Sequence, residues 1–258
     1  MKMSKTRLFV SKKLSANILI YIKNKQHHFL KNVLRIKKED NINLFDGLTG
    51  EWLSKVISIN RDNIVLQIQN KLRDIPQESD LWLIFAPIKS YRMNITIQKA
   101  TELGISRFIP ILTEYTNQSK INFKNFELNM IEASEQSERL SIPTLEKTIK
   151  LDDLVDNFPS DRGLVFCDEG NENLPTIYNA LINEAKKYKK WSVIIGPEGG
   201  FSEKERRSIS SLSSCISVSL GKRILRSDTA TTAAIFSIQS VIESVSYTHL
   251  TLPTMELV

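Results

Sequence analysis

The stretch Trp191-Ser192-Val193-Ile194-Ile195-Gly196-Pro197-Glu198-Gly199-Gly200 frames the reading of the whole chain. Residues 191–195 form an apolar run that suits a strand buried on both faces. The turn after it holds three of the nine glycines in the chain, with a carboxylate in their midst. A glycine-rich turn between strand and helix lets a ligand approach the backbone closely, because no Cβ intervenes. Ser202 and Glu205 then have the Ser-x-x-Glu spacing of a capping box, which opens a helix predicted over 203–212. In an open parallel sheet, ligands bind outside the carboxyl ends of the strands. The turn is neither a P-loop, since no Gly-Lys-Ser/Thr follows, nor a Gly-x-Gly-x-x-Gly fingerprint. A tight turn without a ligand is the bland alternative, and the local concentration of glycines weighs against it.

Outward from this stretch, apolar runs alternate with helical patterns. Strands are predicted at 81–88, 108–112, 163–167 and 215–220, with helices at 94–103, 126–140, 174–190 and 229–244; Gly104 is positioned as a helix C-cap. That alternation predicts an α/β domain with a parallel sheet covered on both sides, over 78–246. The first third differs. Short Ile/Val/Leu-rich runs at 17–22, 41–45, 52–59 and 63–68 are separated by Asp46-Gly47, Thr49-Gly50 and Asn60-Arg61-Asp62, with one helical stretch at 27–35. This predicts a small N-terminal β-barrel over 1–73, and 72–80 reads as a linker. Residues 247–258, with Pro253 and no helical stripe, read as a tail foreign to the fold or disordered.

Composition bounds the function. The 258 residues are 41% hydrophobic and 25% charged, as in ordinary globular proteins. No apolar run approaches the roughly 20 residues that cross a bilayer, and the basic start lacks a signal-peptide core, so a cytoplasmic protein without membrane attachment is expected. Cys167 and Cys215 each lie in an apolar stretch, which favours buried thiols over a disulfide; with three histidines and no Cys-x-x-Cys, no metal is expected. The net charge of +6 is unevenly spread: residues 1–75 carry 15 Lys/Arg against 6 Asp/Glu, and the remainder 20 against 23. A field localised in that way attracts polyanions, nucleic acid above all, although a solvated basic surface accounts for charge alone equally well.

Two further segments bear on chemistry. Leu220-Gly221-Lys222-Arg223-Ile224-Leu225-Arg226-Ser227-Asp228-Thr229-Ala230 follows the last predicted strand and opens a helix of small residues. Arg226 beside a helix N-terminus concentrates positive charge for an anionic or electron-rich group. Glu135-Gln136-Ser137-Glu138-Arg139 closes another helix just before Ile142-Pro143. On periodicity alone, a solvated helix end is the simpler reading of that segment.

In this order, the segments resemble the 16S ribosomal RNA uridine-N3 methyltransferases (RsmE) of the SPOUT superfamily. Gln98-Lys99-Ala100-Thr101-Glu102-Leu103-Gly104 is similar to the same family, as are His28-Phe29-Leu30 with Val33-Leu34-Arg35, and Leu44-Phe45-Asp46-Gly47. The resemblance spans about residues 7–244. Asp228 stands where the family more often has glutamate, and Asn94 where it usually has an acid.

The resemblance implies a deep trefoil knot in the α/β domain and a PUA-like, RNA-gripping barrel before it. It implies S-adenosyl-L-methionine as cofactor, held by the loop after 163–167, by Gly196, Pro197, Glu198, Gly199 and Gly200, and by Leu220, Gly221, Ile224, Leu225, Arg226, Thr229 and Ala230. Leu220, Ile224 and Leu225 would enclose the adenine. The implied partners are 16S ribosomal RNA or the small ribosomal subunit, and a second copy of the chain, since such sites form at a homodimer interface. Arg7, His28, Arg35 and Lys37 would contact RNA. The implied reaction methylates uracil N3, with Arg226 stabilising charge on the uracil oxygens, Glu198 accepting the proton or orienting the base, and Arg139 at the cleft edge. Two rival readings are a knotted methyltransferase acting on a transfer RNA base or a ribose 2′-hydroxyl, and a ribosome-assembly factor that binds RNA without catalysis.

Overall fold

The computed structural model describes residues 6–117, 121–168 and 173–247. Contacts divide the chain into two units: Met1–Gln77 with Ile131–Ile142, and Glu78–Met130 with Pro143–Val258. Residues 131–142, which the sequence pattern assigned wholly to the α/β domain, thus group with the first unit.

In the first unit, β1 (Arg7–Phe9), β2 (Leu19–Ile22), β3 (Asn41–Phe45), β4 (Glu51–Ile59) and β5 (Ile64–Arg73) form one five-stranded mixed sheet, ordered β1-β3-β4-β5-β2. Only β1 and β3 pair in parallel. The expected barrel takes the form of a mixed sheet, in which β1 is an unanticipated strand too short to show alternation. Ile20 and Ile22 of β2 are buried while Leu19 and Tyr21 face out, the period-two pattern of a half-covered strand. With Leu8, Leu30, Ile42, Leu44, Ile64 and Leu66 they build the core. Asp46 is buried, yet its carboxylate accepts the N–H groups of Leu14, Leu48 and Thr49 at 2.8, 2.9 and 2.7 Å. That explains why Asp46-Gly47 makes this turn. Between β2 and β3 lie α1 (Asn24–His28) and a π-helical turn over Phe29–Val33, where one helix was expected.

The second unit is built on a parallel sheet: β6 (Asp80–Phe85), β7 (Arg107–Leu112), β8 (Thr144–Leu145), β10 (Arg162–Cys167), β11 (Lys190–Ile195) and β12 (Cys215–Val218), ordered β12-β10-β11-β6-β7-β8, with β9 (Ile149–Lys150) on β7. Each pairing within it is parallel. Leu83, Val165 and Val193 are fully buried, as continuous apolar runs require when both faces are covered. The helices of this unit are α2 (Ser90–Glu102), α4 (Leu151–Asp156), α5 (Ile177–Leu181), α6 (Glu203–Ser210) and α7 (Ser227–Tyr247), while α3 (Phe123–Gln136) belongs to it only as far as Met130. Gly104 has φ +83° and its N–H donates to the Thr101 carbonyl, which ends α2 as the sequence indicates. After the edge strand β12, α7 returns to pack on α2, α5 and β11.

The amino ends of the strands are tied by Arg162. Its Nη1 donates to the Trp191 and Asp80 carbonyls at 2.6 and 3.1 Å, its Nη2 to Asp80 Oδ2 at 2.6 Å, and its guanidinium lies over the Trp82 ring. The opposite, carboxyl end is left for the loops that follow.

Several elements depart from the sequence reading. The helix expected over 174–190 shortens to α5, whose N-cap Thr176 accepts the Asn179 N–H. Elements β8, β9 and α4 are too short to declare themselves by periodicity. The strand β5 reaches Arg73 and β6 begins at Asp80, so both ends of the expected linker are strand. Tyr247, read as the start of the tail, belongs to α7; the rest of that tail lies outside the described residues.

Candidate active site

A cavity of about 910 Å³ lies in the second unit at the carboxyl ends of β10, β11 and β12. Its walls are the loop after β11 (196–201), the loop after β12 (219–227), and Cys167, Asp168, Leu174 and Thr176 around the loop after β10; Arg92 of α2, Arg206 of α6 and Ala230 of α7 complete it. That size falls within the range of sites that enclose drug-sized ligands, roughly 300–1,000 Å³.

Two of these loops are stitched together, because Ser227 Oγ donates to the Gly196 carbonyl at 3.2 Å. The first loop is fixed at its exit by the capping box: Glu205 N–H donates to Ser202 Oγ, and Ser202 N–H to Glu205 Oε2 at 2.8 Å. Its glycines serve the chain's own packing. A Cβ on Gly196 would stand 2.8 Å from the Phe201 ring, one on Gly199 would stand 3.2 Å from Tyr115 Cβ, and Gly200 has φ +69°. In the second loop Gly221 has φ +109° and borders open space. Glycine is thus required at 196, 199 and 200 by the fold itself, whereas the space beside Gly221 is open.

Charge is arranged in two layers. Arg206 Nη2 contacts both Asp168 oxygens, at 2.9 and 3.0 Å, and Arg92 Nη1 donates to Glu198 Oε1 at 3.5 Å. Lys222, Arg223 and Arg226 are exposed, without an ion-pair partner among the described residues. Cys167 lines the wall with its thiol pushed up to about 12 by burial, which keeps it protonated and unreactive.

Of the residues expected to hold the cofactor, Gly196, Pro197, Glu198, Gly199, Gly200, Leu220, Gly221, Ile224, Leu225, Arg226 and Ala230 all line the cavity. Thr229 is exposed and is not part of the lining. Ile224 lines the cavity while 87% of its side chain faces solvent. Arg139, expected at the cleft edge, is not among the residues that line the cavity. It groups with the first unit, is 8% exposed, and donates from Nε to Ser141 Oγ at 2.9 Å.

Among the expected RNA contacts, His28, Arg35 and Lys37 are exposed on the first unit. Arg7 is not. Its side chain is 7% exposed, pairs with Glu51 at 2.6 Å, and donates to the carbonyls of Glu135 and Arg139 at 3.2 and 3.4 Å. An arginine so buried and so engaged serves the packing of the first unit.

Sequence reasoning missed Arg92, Asp168 and Arg206. Asp168 stands directly after an apolar strand, where sheet sites form, and that position could have flagged it. Arg92 and Arg206 sit on helices distant in sequence, and no local spacing singles them out. Asn94, which replaces the usual acid, accepts from Asn125 and Asn129 side chains at 2.9 and 3.1 Å, so its oxygen is fully used. Among the described residues, no helix is long and apolar enough to cross a membrane, and no cluster of three metal-ligating side chains occurs.

Residues 76–239 match the RNA methyltransferase domain family, and residues 22–69 match the RNA methyltransferase PUA domain family. The chain is 32% identical over 238 residues to ribosomal RNA small subunit methyltransferase E of Rickettsia conorii, covering 92% of this chain and 96% of that one. It is 29% identical to the protein of the same name from Buchnera aphidicola, covering 93% and 97%. A crystal structure of the Neisseria gonorrhoeae ribosomal RNA small subunit methyltransferase E bound to S-adenosyl methionine superposes with a TM-score of 0.80 at 26% identity, covering 92% and 97%.

Proposed function

Because this chain belongs to the ribosomal RNA small subunit methyltransferase E family, we propose that it transfers the methyl group of S-adenosyl-L-methionine to N3 of a uridine in 16S ribosomal RNA. The observation that carries this reading is the pair of stitched loops, 196–201 and 219–227, around one cavity at the carboxyl ends of a parallel sheet. The residues there fit the cofactor. The cavity has the volume, Gly221 leaves backbone open to a ligand, and Leu220 and Leu225 offer apolar surface to a purine.

When bound, the cofactor supplies an electrophilic methyl on a sulfonium. This chain's residues must do the rest. Uracil N3 becomes a good nucleophile only when its proton is lost, so the site has to favour the N3 anion and hold it in line. Arg226, exposed at the cavity wall, supplies a guanidinium for the charge that develops on the uracil oxygens. Glu198 lines the same cavity and accepts the proton or orients the base, with Arg92 donating to its carboxylate at 3.5 Å. In this reading the exposed basic residues of the first unit hold the RNA, the chain works in the cytoplasm as a homodimer, and α7 threads the knot of the superfamily. The first unit (1–77, with 131–142) and the second (78–130, with 143–258) would divide binding and chemistry between them.

The test is methyl transfer from labelled S-adenosyl-L-methionine into small-subunit RNA, with cofactor binding followed by calorimetry. Ala230 is 9% exposed and lines the cavity, so Ala230→Leu should fill part of it and abolish both binding and transfer, with cooperative unfolding retained. Cofactor affinity unchanged in that variant would remove the cavity from the site.

A further inference from the structure

We propose that the π-helical turn Phe29–Val33 is a base-stacking platform for single-stranded RNA, with Phe29, Val33 and Leu34 covering the face of an unpaired base. This rests on the reading of the chain as an RNA-modifying protein and adds how the first unit selects its RNA.

The backbone comes first. Leu34 N–H donates to the Phe29 carbonyl at 3.0 Å, the five-residue step of a π turn, a form that is rare and concentrated at functional sites. Residues four and five positions apart come round to one side of such a turn. Phe29, Val33 and Leu34 have that spacing and are 39%, 59% and 40% exposed, whereas Leu30 between them is fully buried in the core. Leu30 anchors the turn, and the wider winding pushes three large apolar side chains together into solvent. Arg35 then takes φ +52° and Ile36 N–H returns to the Leu30 carbonyl, which ends the turn with Arg35 pointing outward.

Charge decides what covers this face. The first 38 residues of the chain contain no Asp or Glu, and 11 Lys or Arg. Around the turn, Lys25, Arg35, Lys37 and Lys38 are exposed, and none has an ion-pair partner among the described residues. Lys31 donates to the Asn60 carbonyl at 3.1 Å, which leaves its charge unpaired. An apolar face rimmed by unpaired cations suits a polyanion that also presents flat apolar surfaces, which is an RNA strand with its bases unstacked. A paired helix offers the phosphates without the base faces. An apolar protein partner would leave the cations unanswered.

The experiment measures binding of the full chain to a short fluorescent RNA, single-stranded and annealed to its complement. Phe29→Ala should weaken single-strand binding by roughly tenfold, with the duplex affected much less, since each stacked base is worth about that factor. Phe29→Trp should restore it, because only a flat ring is required. Arg35→Ala should instead lower the salt dependence of both, by about 0.7 in the slope of log affinity against log salt for the single strand. Equal loss for both RNAs, or no loss for either, would overturn the platform. So would a Phe29→Ala defect confined to assembled small subunits, which would make the face a protein-docking surface. Methylation by the parent chain is read separately: normal methylation with normal single-strand binding by Phe29→Ala sinks this proposal alone, whereas Phe29-dependent binding without methylation sinks the functional reading alone.

Discussion

In the first unit, Arg7 reaches from β1 into a buried cluster. Glu51 accepts from Arg7 and from Arg73, each at 2.6 Å, while Arg7 Nη1 and Nη2 also donate to the carbonyls of residues 135 and 139. In the second unit, Arg226 stands exposed on a loop at the cavity wall, with no ion-pair partner among the described residues. Both are arginines in basic or motif-bearing stretches, and the residue type distinguishes neither. What separates them is whether the guanidinium's charge has already been answered. Answered charge stabilises structure, and unanswered charge at a cavity is available to a substrate. The same contrast divides Arg162, buried over Trp82 at the amino ends of the strands, from Lys222 and Arg223 near the carboxyl ends.

The largest effect should come from breaking the answered side. Arg7→Ala leaves the buried Glu51 carboxylate with half-exposed Arg73 and the Asn43 amide, and removal of one member of a buried pair costs about 3–5 kcal/mol. Urea unfolding should show that loss in the midpoint, and Arg7→Lys should recover little, because a point ammonium cannot serve a carboxylate and two carbonyls at once. A variant as stable as the parent would make the cluster ornamental.

Next comes the unanswered side. Arg226→Ala should leave the unfolding midpoint in place and lower the single-turnover methylation rate by roughly a hundredfold, about 2.7 kcal/mol, if it acts as other oxyanion donors do. Cofactor affinity should change far less, and higher pH should restore part of the rate as solvent supplies more N3 anion. A normal rate at saturating cofactor would contradict the assignment. Joint loss of cofactor affinity and rate would make Arg226 a cofactor residue and leave Glu198 to carry the chemistry.

A pH series sharpens the comparison further. Burial pushes the Glu51 carboxyl up, but hydrogen bonds and charge from Arg7 and Arg73 outweigh it and hold the group below the usual glutamate range. A depressed folded value means stability that is present above the unfolded pKa and lost as pH falls through the folded one. The gap between parent and Glu51→Gln should therefore be widest near neutrality and close in acid. Glu135 runs the other way: burial raises it, against the Phe9 N–H it accepts at 2.8 Å, so its contribution is present in acid and fades as pH rises. A parent–Glu51→Gln gap that stays constant with pH would mean that Glu51 acts through its shape alone.

The smallest effect concerns Cys167. Burial pushes its thiol to about 12, so alkylation by iodoacetamide at neutral pH should be slow in the folded chain, and Cys167→Ser should methylate at close to the parent rate. Fast labelling would show that the cavity wall opens.

Much of this was legible in the sequence, for identifiable reasons. The buried parallel strands declare themselves as apolar runs, and Ser202 with Glu205 announces the start of α6 by its spacing. The first cavity loop stands out because it holds three of the chain's nine glycines. Elements of two or three residues, such as β1, β8 and β9, are held by neighbours and carry no period of their own. The π turn was visible as a helix, but its winding depends on Leu30 being drawn into the core. Arg7, Arg92 and Arg139 were illegible for a common reason: their tasks are set by partners that the fold supplies from distant sequence or by burial, as Glu51, Glu198 and the first-unit core do here.

The central claim is that this chain methylates uracil N3, and nucleoside mass spectrometry tests it most directly. Small-subunit RNA from cells lacking the protein would be incubated with the purified chain and S-adenosyl-L-methionine, digested, and compared with untreated RNA. The account predicts a new N3-methyluridine that is greatly reduced with Arg226→Ala. A new ribose-methylated nucleoside or another methylated base, with no change at uridine N3, would contradict it.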